Sequence, residues 1–464
     1  MGKINKKRLK DFGLIIDEDK DIALVSSSKK INDVTRRELN YHYKTNFELS
    51  KSQIPEDKFT QDNIEDTREI ITEIEKYVSD AEFEKSAEIA LNATSETDAP
   101  AVKLFDNLLA VAISRGASDL HIDPTSRFLN IRMRFDGQLI DYASLDVRIA
   151  PVLLSRMKLV SGMDITEKRK PQDGRFSVSH RGRKVDIRVA SIAAKNGERL
   201  ALRLFNHQSE EFFLQEIGLQ IPHIDALTKA ISRQNGLVLI CGPTGSGKTT
   251  TIYTLLSELR GRGLNIMTIE DPVEVGLDGI VQTQVDEAVG LDFSAGLRSI
   301  LRNDPDVVLV GEIRDEKTAE IAVRAAMTGH LVISTVHANS PKGAIKRLIN
   351  LGIDASLISE SLIGVFSQRL VRLYCPICKN NSINDLAHTS ILPNQFKGCE
   401  ACFHTGFKSR VPVMTHILMS SEDKNIIEND ISLLSDNNTM ISEAEQLHKA
   451  GNTPLFEVSK LKVE

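Results

Sequence analysis

Gly236-Leu-Val-Leu-Ile-Cys241 runs straight into Gly242-Pro-Thr-Gly-Ser-Gly-Lys-Thr249, and Thr250-Thr-Ile-Tyr-Thr-Leu-Leu256 follows. The first piece is an unbroken apolar run, the mark of a strand buried on both faces. The last piece has helical composition. The piece between them matches G-x-x-x-x-G-K-[ST] in the strand–turn–helix context that phosphate binding requires. Gly242, Pro243, Thr244, Gly245, Ser246 and Gly247 let the backbone curl so that its N–H groups face phosphate oxygens. The helix N-terminus adds partial positive charge. Lys248 reaches the β- and γ-phosphates, the Thr249 hydroxyl can ligate Mg2+, and Thr250 continues the first turn. A triphosphate nucleotide is therefore the expected ligand, ATP with Mg2+.

Three more apolar runs follow: Asn265-Ile-Met-Thr-Ile269, Val307-Val-Leu-Val310 and Leu331-Val-Ile-Ser-Thr335. Separated by helical segments, they predict an α/β unit with a parallel sheet over residues 213–464. Two of these runs end in acids. Thr268-Ile-Glu-Asp-Pro-Val-Glu274 carries Glu270, Asp271 and Glu274, and Asp306-Val-Val-Leu-Val-Gly-Glu312 ends in Glu312. Acids at the carboxyl ends of parallel strands face the ligand crevice, where one can hold Mg2+ and another can orient water. The residues alone do not say which acid is the base. His330 and His337 flank the fourth run, and His337 is placed to hydrogen-bond a γ-phosphate.

Upstream, Ala101–Ser114 has helical apolar spacing. The stretches 129–135, 185–189 and 200–205 alternate apolar residues with polar ones, among them Arg188 and Arg203. This predicts an α+β domain over 99–212 that presents a row of arginines. Residues 1–98 read as a small separate domain, with a short strand at 21–26, a helix at 67–77 and a polar linker ending at Pro100.

Cys375-Pro-Ile-Cys378 and Cys399-Glu-Ala-Cys402 are two CxxC pairs, and four thiolates complete a closed tetrahedral zinc site, structural in kind. The fifth cysteine, Cys241, reads as a small buried apolar residue. His388 and His404 lie nearby, but four sulfurs fill the shell. In 464 residues, 41% are apolar and 26% charged, which excludes a disordered chain. A net charge of −6 and the lack of an aromatic-basic tract argue against nucleic acid as a partner. No run of 18 apolar residues and no apolar leader are present. The expectation is a cytoplasmic protein that meets a membrane only through partners.

These motifs, taken in order, resemble the secretion and type IV pilus ATPases. The likeness rests on Ala117-Ser-Asp-Leu-His-Ile-Asp-Pro124, Arg132-Met-Arg-Phe-Asp-Gly137, Gln172-Asp-Gly-Arg175, the phosphate loop, the acidic box 268–274, Val310-Gly-Glu-Ile-Arg-Asp315 and Thr328–His337. It implies a RecA-like ATPase domain preceded by a PAS-like α+β domain and a docking domain. It implies a homo-hexamer with ATP held between subunits. Glu270 would then polarise the attacking water, Glu312 would stand on the Mg2+ side, and His337 would sense the γ-phosphate. Arg188, Arg203, Arg298 and Arg302, the last two on a helical stretch before Asp306, would reach nucleotide across domain or subunit boundaries. Work would pass to an inner-membrane platform protein, while residues 1–98 dock on a membrane protein facing the cytoplasm. The four cysteines mark members that assemble pili or secrete rather than retract. Three positions depart from the family pattern: Ser409 stands where glycine is usual, Thr415 where glutamate is usual, and Ser340 follows Asn339 where an acid is common.

Overall fold

The apolar and alternating runs form two sheets of different character. The computed structural model describes residues 100–180, 183–206, 213–379, 398–435 and 439–463. These residues belong to one compact unit, Glu75–Glu464. The expected domain 1–98, its strand, its helix and its linker lie outside the described residues, as does His388.

The first sheet follows helix α1 (Pro100–Ser114) and consists of β1 (Asp119–Pro124), β2 (Phe128–Phe135), β3 (Gln138–Asp146), β4 (Gln172–His180), β5 (Arg183–Ala194) and β6 (Gly197–Asn206), with α2 (Ala150–Val160) inserted. Its order is β3-β2-β1-β6-β5-β4, and every pair is antiparallel. Alternate residues point to opposite faces. Leu120, Ile122, Leu129, Ile131, Met133, Ile187, Leu200 and Leu202 are accordingly buried. The polar face carries the expected arginines in register. Arg134 pairs with Asp119, Asp119 with Arg203, Arg203 with Arg188 and Arg188 with Arg175. Asp119 relieves this row locally: its carboxylate lies 3.3 Å from Arg134 and 3.2 Å from Arg203.

After α3 (Ile221–Ile231) comes β7 (Gly236–Cys241), then α4 (Lys248–Arg260), β8 (Ile266–Glu270), β9 (Val281–Gln284), α5 (Phe293–Ile300), β10 (Val307–Val310), α6 (Glu316–Met327), β11 (Leu331–Val336), α7 (Pro341–Asn350), α8 (Ala355–Ser361), β12 (Leu362–Tyr374) and β13 (Phe407–Leu418). Helices α9 (Ser421–Asn429), α10 (Thr439–Lys449) and α11 (Leu455–Val463) follow. This sheet runs β13-β12-β7-β11-β10-β8-β9. All its pairs are parallel except β12–β13. Every residue of β7, β8, β10 and β11 is buried. One core takes Leu237, Leu239 and Cys241 from β7, and the other takes Val238 and Ile240. Both faces are thus covered, which is why these strands read as apolar runs and not as alternations. Cys241 has no exposed surface, as expected of a small apolar filler. The parallel arrangement also brings the carboxyl ends of β7, β8, β10 and β11 to one edge. There Gly242, Glu270, Glu312 and His337 leave their strands.

Candidate nucleotide and metal sites

The turn after β7 has the shape that phosphate binding needs. Gly242, Gly245 and Gly247 have φ of 149°, 76° and 86°. At Gly247 glycine is required twice over. A Cβ there would meet Gln368 Nε2 at 2.8 Å, and the left-handed φ strains any side chain. Gln368 of β12 clamps the turn, since its Nε2 donates to the Ser246 carbonyl at 2.9 Å and its Oε1 accepts from Thr251 Oγ1 at 2.8 Å. Lys248 folds back into the curl, and its Nζ donates to the carbonyls of Gly242 and Pro243 at 2.8 and 2.9 Å. Burial lowers its pKa from the ordinary lysine range. Thr249 and Thr250 are exposed at the mouth. Ser246 Oγ is buried with no hydrogen-bond partner among the described residues. An unpaired buried hydroxyl of this kind fits a turn shaped for a polar ligand.

Two carboxylates face the turn from neighbouring strand ends, and they differ in how they are held. Glu270 is 4% exposed. Its Oε1 accepts from Thr268 Oγ1 at 2.6 Å and from Gln282 Nε2 at 3.0 Å, and its Oε2 accepts from Tyr253 Oη at 2.5 Å. Glu312 instead pairs with a cation, Arg314, which also lies 3.9 Å from Asp271. The hydrogen bond to Glu312 raises the pKa of Arg314 further. The second oxygen of Glu312, Oε2, lies 3.4 Å from His337 Nε2 and has no hydrogen-bond partner among the described residues. A buried carboxylate oxygen left over in this way suits a cation ligand. Lys248, Thr249, Tyr253, Glu270, Glu312 and His337 all line one crevice.

The structure does not bring His330 to that crevice. It precedes β11 whereas His337 follows it, so the six-residue strand holds the two roughly 20 Å apart. His330 Nδ1 lies 3.1 Å from the Ala325 carbonyl, and its own carbonyl accepts from Gly236 N–H, at the far end of β7 from the phosphate turn. His330 therefore lies outside this crevice. Arg188, Arg203, Arg298 and Arg302 also stand away from the crevice lining. Arg188 stacks on Phe205 at 4.5 Å and lies 4.0 Å from Glu274, which does line the crevice. Arg203 pairs with Asp119, and Arg298 donates to Ser294 Oγ at 3.0 Å. Helix α5 ends at Ile300, so Arg302 sits in the turn beyond it.

Sequence reasoning passed over Tyr253, Gln282 and Gln368, and it quoted Thr268 and Arg314 without giving them roles. Arg314 was open to inference as the one cation in a segment that ends in acids. Thr268 reaches Glu270 from two residues back on the same strand, and Tyr253, Gln282 and Gln368 touch the site only through pairing between elements.

The two CxxC pairs do meet. Sγ–Sγ separations are 3.8 Å for Cys375–Cys399, 3.7 Å for Cys378–Cys402 and 3.8 Å for Cys399–Cys402, with all four sulfurs within 4.8 Å of one another. A disulfide is excluded at these distances. A tetrahedron with metal–sulfur bonds of about 2.3 Å has edges of about 3.8 Å, so the cluster fits zinc. Backbone N–H groups of Cys399 and Gly406 donate to Cys402 Sγ at 3.2 and 3.3 Å, as a thiolate prefers. His404 Nδ1 faces the Gly398 carbonyl instead of the cluster. The knuckle also touches the first sheet: Phe403 stacks on Phe135 at 4.3 Å, and Ser409 N–H donates to Asp136 at 3.1 Å.

The fold and crevice define a P-loop nucleotide-binding α/β protein with an appended four-cysteine centre. The chain belongs to the Type II/IV secretion system protein family, whose model matches residues 94–460. It is 39% identical over 439 residues to Type II secretion system ATPase E of Vibrio cholerae serotype O1, covering 90% of this chain and 87% of that one. It is 39% identical over 343 residues to Type IV pilus assembly ATPase PilB of Myxococcus xanthus, covering 71% of this chain and 61% of that one. Among solved structures, the pilus retraction motor PilT with bound ADP matches at a TM-score of 0.53 and 26% identity, over 76% of this chain and 95% of that one.

Proposed function

We propose that this secretion and pilus-assembly ATPase hydrolyses Mg-ATP at the crevice beside Lys248 to drive addition of pilin or pseudopilin subunits at the inner membrane. The observation that carries the catalytic reading is convergence. Lys248 of α4 and two carboxylates from separate strands, Glu270 and Glu312, line one crevice. Lys248 turns from the Gly242 and Pro243 carbonyls to the β- and γ-phosphates, while the N–H groups of residues 242–249 hold their oxygens. Thr249 and Glu312 would hold Mg2+, which when bound neutralises charge on the phosphate oxygens. Glu270 orients the attacking water and receives its proton. His337 hydrogen-bonds the γ-phosphate.

The finer organisation belongs to the same proposal. Arg188, Arg203, Arg298 and Arg302 are exposed and lie off their own chain's crevice. This suits delivery of charge across domain or subunit boundaries in a ring of six, where such an arginine can be worth roughly 10³ to 10⁵ in rate. Zn2+ on Cys375, Cys378, Cys399 and Cys402 is a structural ion, because four sulfurs leave no open position. Among the described residues no helix is long and apolar enough to cross a membrane. Contact with the inner membrane is therefore assigned to a platform protein, and to a docking protein bound by residues 1–98. The names of the relatives, a secretion ATPase and a pilus-assembly ATPase, support this placement.

The test is Glu270→Gln in the full chain, with phosphate release and ATP binding both measured. Release falls about 10² to 10⁴-fold, the usual worth of a general base, while binding stays within a few-fold. Turnover near wild type would remove Glu270 from the chemistry.

A further inference from the structure

Tyr253 stands five residues beyond Lys248 on the same helix, α4. Its phenol reaches the end of β8, where Oη donates to Glu270 Oε2 at 2.5 Å. The same Oη accepts the backbone N–H of Glu274 at 3.2 Å, so it also fixes the acidic loop after β8. On its other oxygen, Glu270 is held by Thr268 and Gln282, which are register partners on adjacent strands. Three neutral donors therefore hold a nearly buried carboxylate, and among the ion pairs of the described residues no Lys or Arg pairs with Glu270. Contrast Glu312, whose partner is the Arg314 guanidinium.

The difference has a chemical consequence. A guanidinium partner stabilises a carboxylate strongly and blunts it as a base, whereas neutral donors orient it at smaller cost to basicity. A phenol is also rigid, with two side-chain torsions, so it fixes direction. Burial and the adjacent Glu270 carboxylate push the phenol pKa upward, so Tyr253 remains a donor at physiological pH. Tyr253 rides on the helix whose N-terminus faces the phosphate site, so any shift of that helix would be passed directly to Glu270.

We infer that Tyr253 is a positioning residue that aims Glu270 at the attacking water and ties that aim to the phosphate-binding helix. The inference rests on Glu270 acting as the base. It adds that removing the phenol hydroxyl alone disables the base without disturbing nucleotide capture.

The experiment uses the full chain with Mg-ATP and compares Tyr253→Phe, Thr268→Val and Glu270→Gln. Tyr253→Phe lowers kcat about 10- to 100-fold and leaves KM for ATP within about threefold, since misplacement of a catalytic group can cost 10²-fold without loss of binding. Thr268→Val, which removes one of the two donors to Oε1, lowers kcat less. A general loss of structure would move KM, ATP binding and melting temperature together. If Glu270→Gln collapses turnover and Tyr253→Phe keeps wild-type kcat, the positioning role is overturned and the base assignment stands. If Glu270→Gln retains turnover, the base assignment itself fails. Should Tyr253→Phe not fold, Tyr253→Met, which also removes the phenol hydroxyl, decides: an unchanged kcat there overturns the inference.

Discussion

The phosphate turn and the cysteine knuckle are both short, glycine-containing loops shaped for a ligand, and they are held in opposite ways. The phosphate turn hangs from β7, all six residues of which are buried, and is clamped by Gln368 and Thr251. Its shape is a product of the protein's own packing. Among the described residues, the knuckle's buried neighbours are its own cysteines, the stacked Tyr374 and Phe407 with the half-buried Phe456, and Phe135, on which Phe403 stacks. A ligand-independent loop can bind, release and rebind nucleotide as a motor must. A ligand-dependent loop cannot release its ion and keep its shape. With zinc on the four cysteines as proposed, one family fold would carry a site made for turnover beside a site made for permanence.

The largest expected effect breaks the knuckle. Zinc in small peptides is worth roughly 10–16 kcal/mol of apparent folding energy. Stripping the ion with a chelator, or replacing Cys402 by serine, should abolish hydrogen-exchange protection around 375–378 and 399–407. Protection of β7 and the phosphate turn should persist. Nucleotide removal should spare both regions. A knuckle that stays protected after chelation would end the contrast, because packing alone would then suffice for both loops.

The second effect lies in the phosphate turn and is chemical where the first is structural. Lys248→Ala removes the ammonium that neutralises phosphate charge, so phosphate release should fall by at least about 10²-fold, the scale of losing one electrostatic stabiliser. The fold should change little, since Lys248 in the free protein only returns to two carbonyls of its own loop. The measurement pairs phosphate release with thermal unfolding. A large drop in melting temperature would show that the turn, like the knuckle, depends on a ligand-facing group for its shape.

How far each region is legible in sequence follows from the same physics. Strands β7, β8, β10 and β11 announce themselves because burial on both faces enforces an apolar run, and the glycines of the turn because φ is positive there. The cysteine site is legible because ligand spacing is local within each CxxC pair. His330 and His337 are close in sequence but do not share the crevice, because strand β11 lies between them. Tyr253, Gln282 and Gln368 were passed over for a related reason. Their partners come from other elements, 17, 12 and 122 residues away for the bonds to Glu270, Glu270 and Ser246. No periodic pattern encodes such a pairing: the sheet order β12-β7 and β8-β9 brings in Gln368 and Gln282, and Tyr253 reaches Glu270 from helix α4.

The smallest expected effect sharpens the comparison at the knuckle's edge. Ser409, where the family usually has glycine, has φ of 75°. The left-handed region costs a non-glycine residue roughly 1–2 kcal/mol. Glycine would relieve that cost but enlarge the freedom of the unfolded chain, which returns about 0.5–1 kcal/mol. Ser409→Gly should therefore stabilise by about 0.5–1 kcal/mol, a rise of roughly 1–4 °C in melting temperature. The bond from its N–H to Asp136 uses backbone alone and should survive the change. With zinc bound, the positive φ is enforced and the gain appears. With zinc removed, the loop relaxes, the strain is gone, and the two proteins should melt alike. A gain that persists after chelation would mean that β13 and Asp136, and not the metal, impose the turn. The knuckle would then owe part of its shape to packing, as the phosphate turn does.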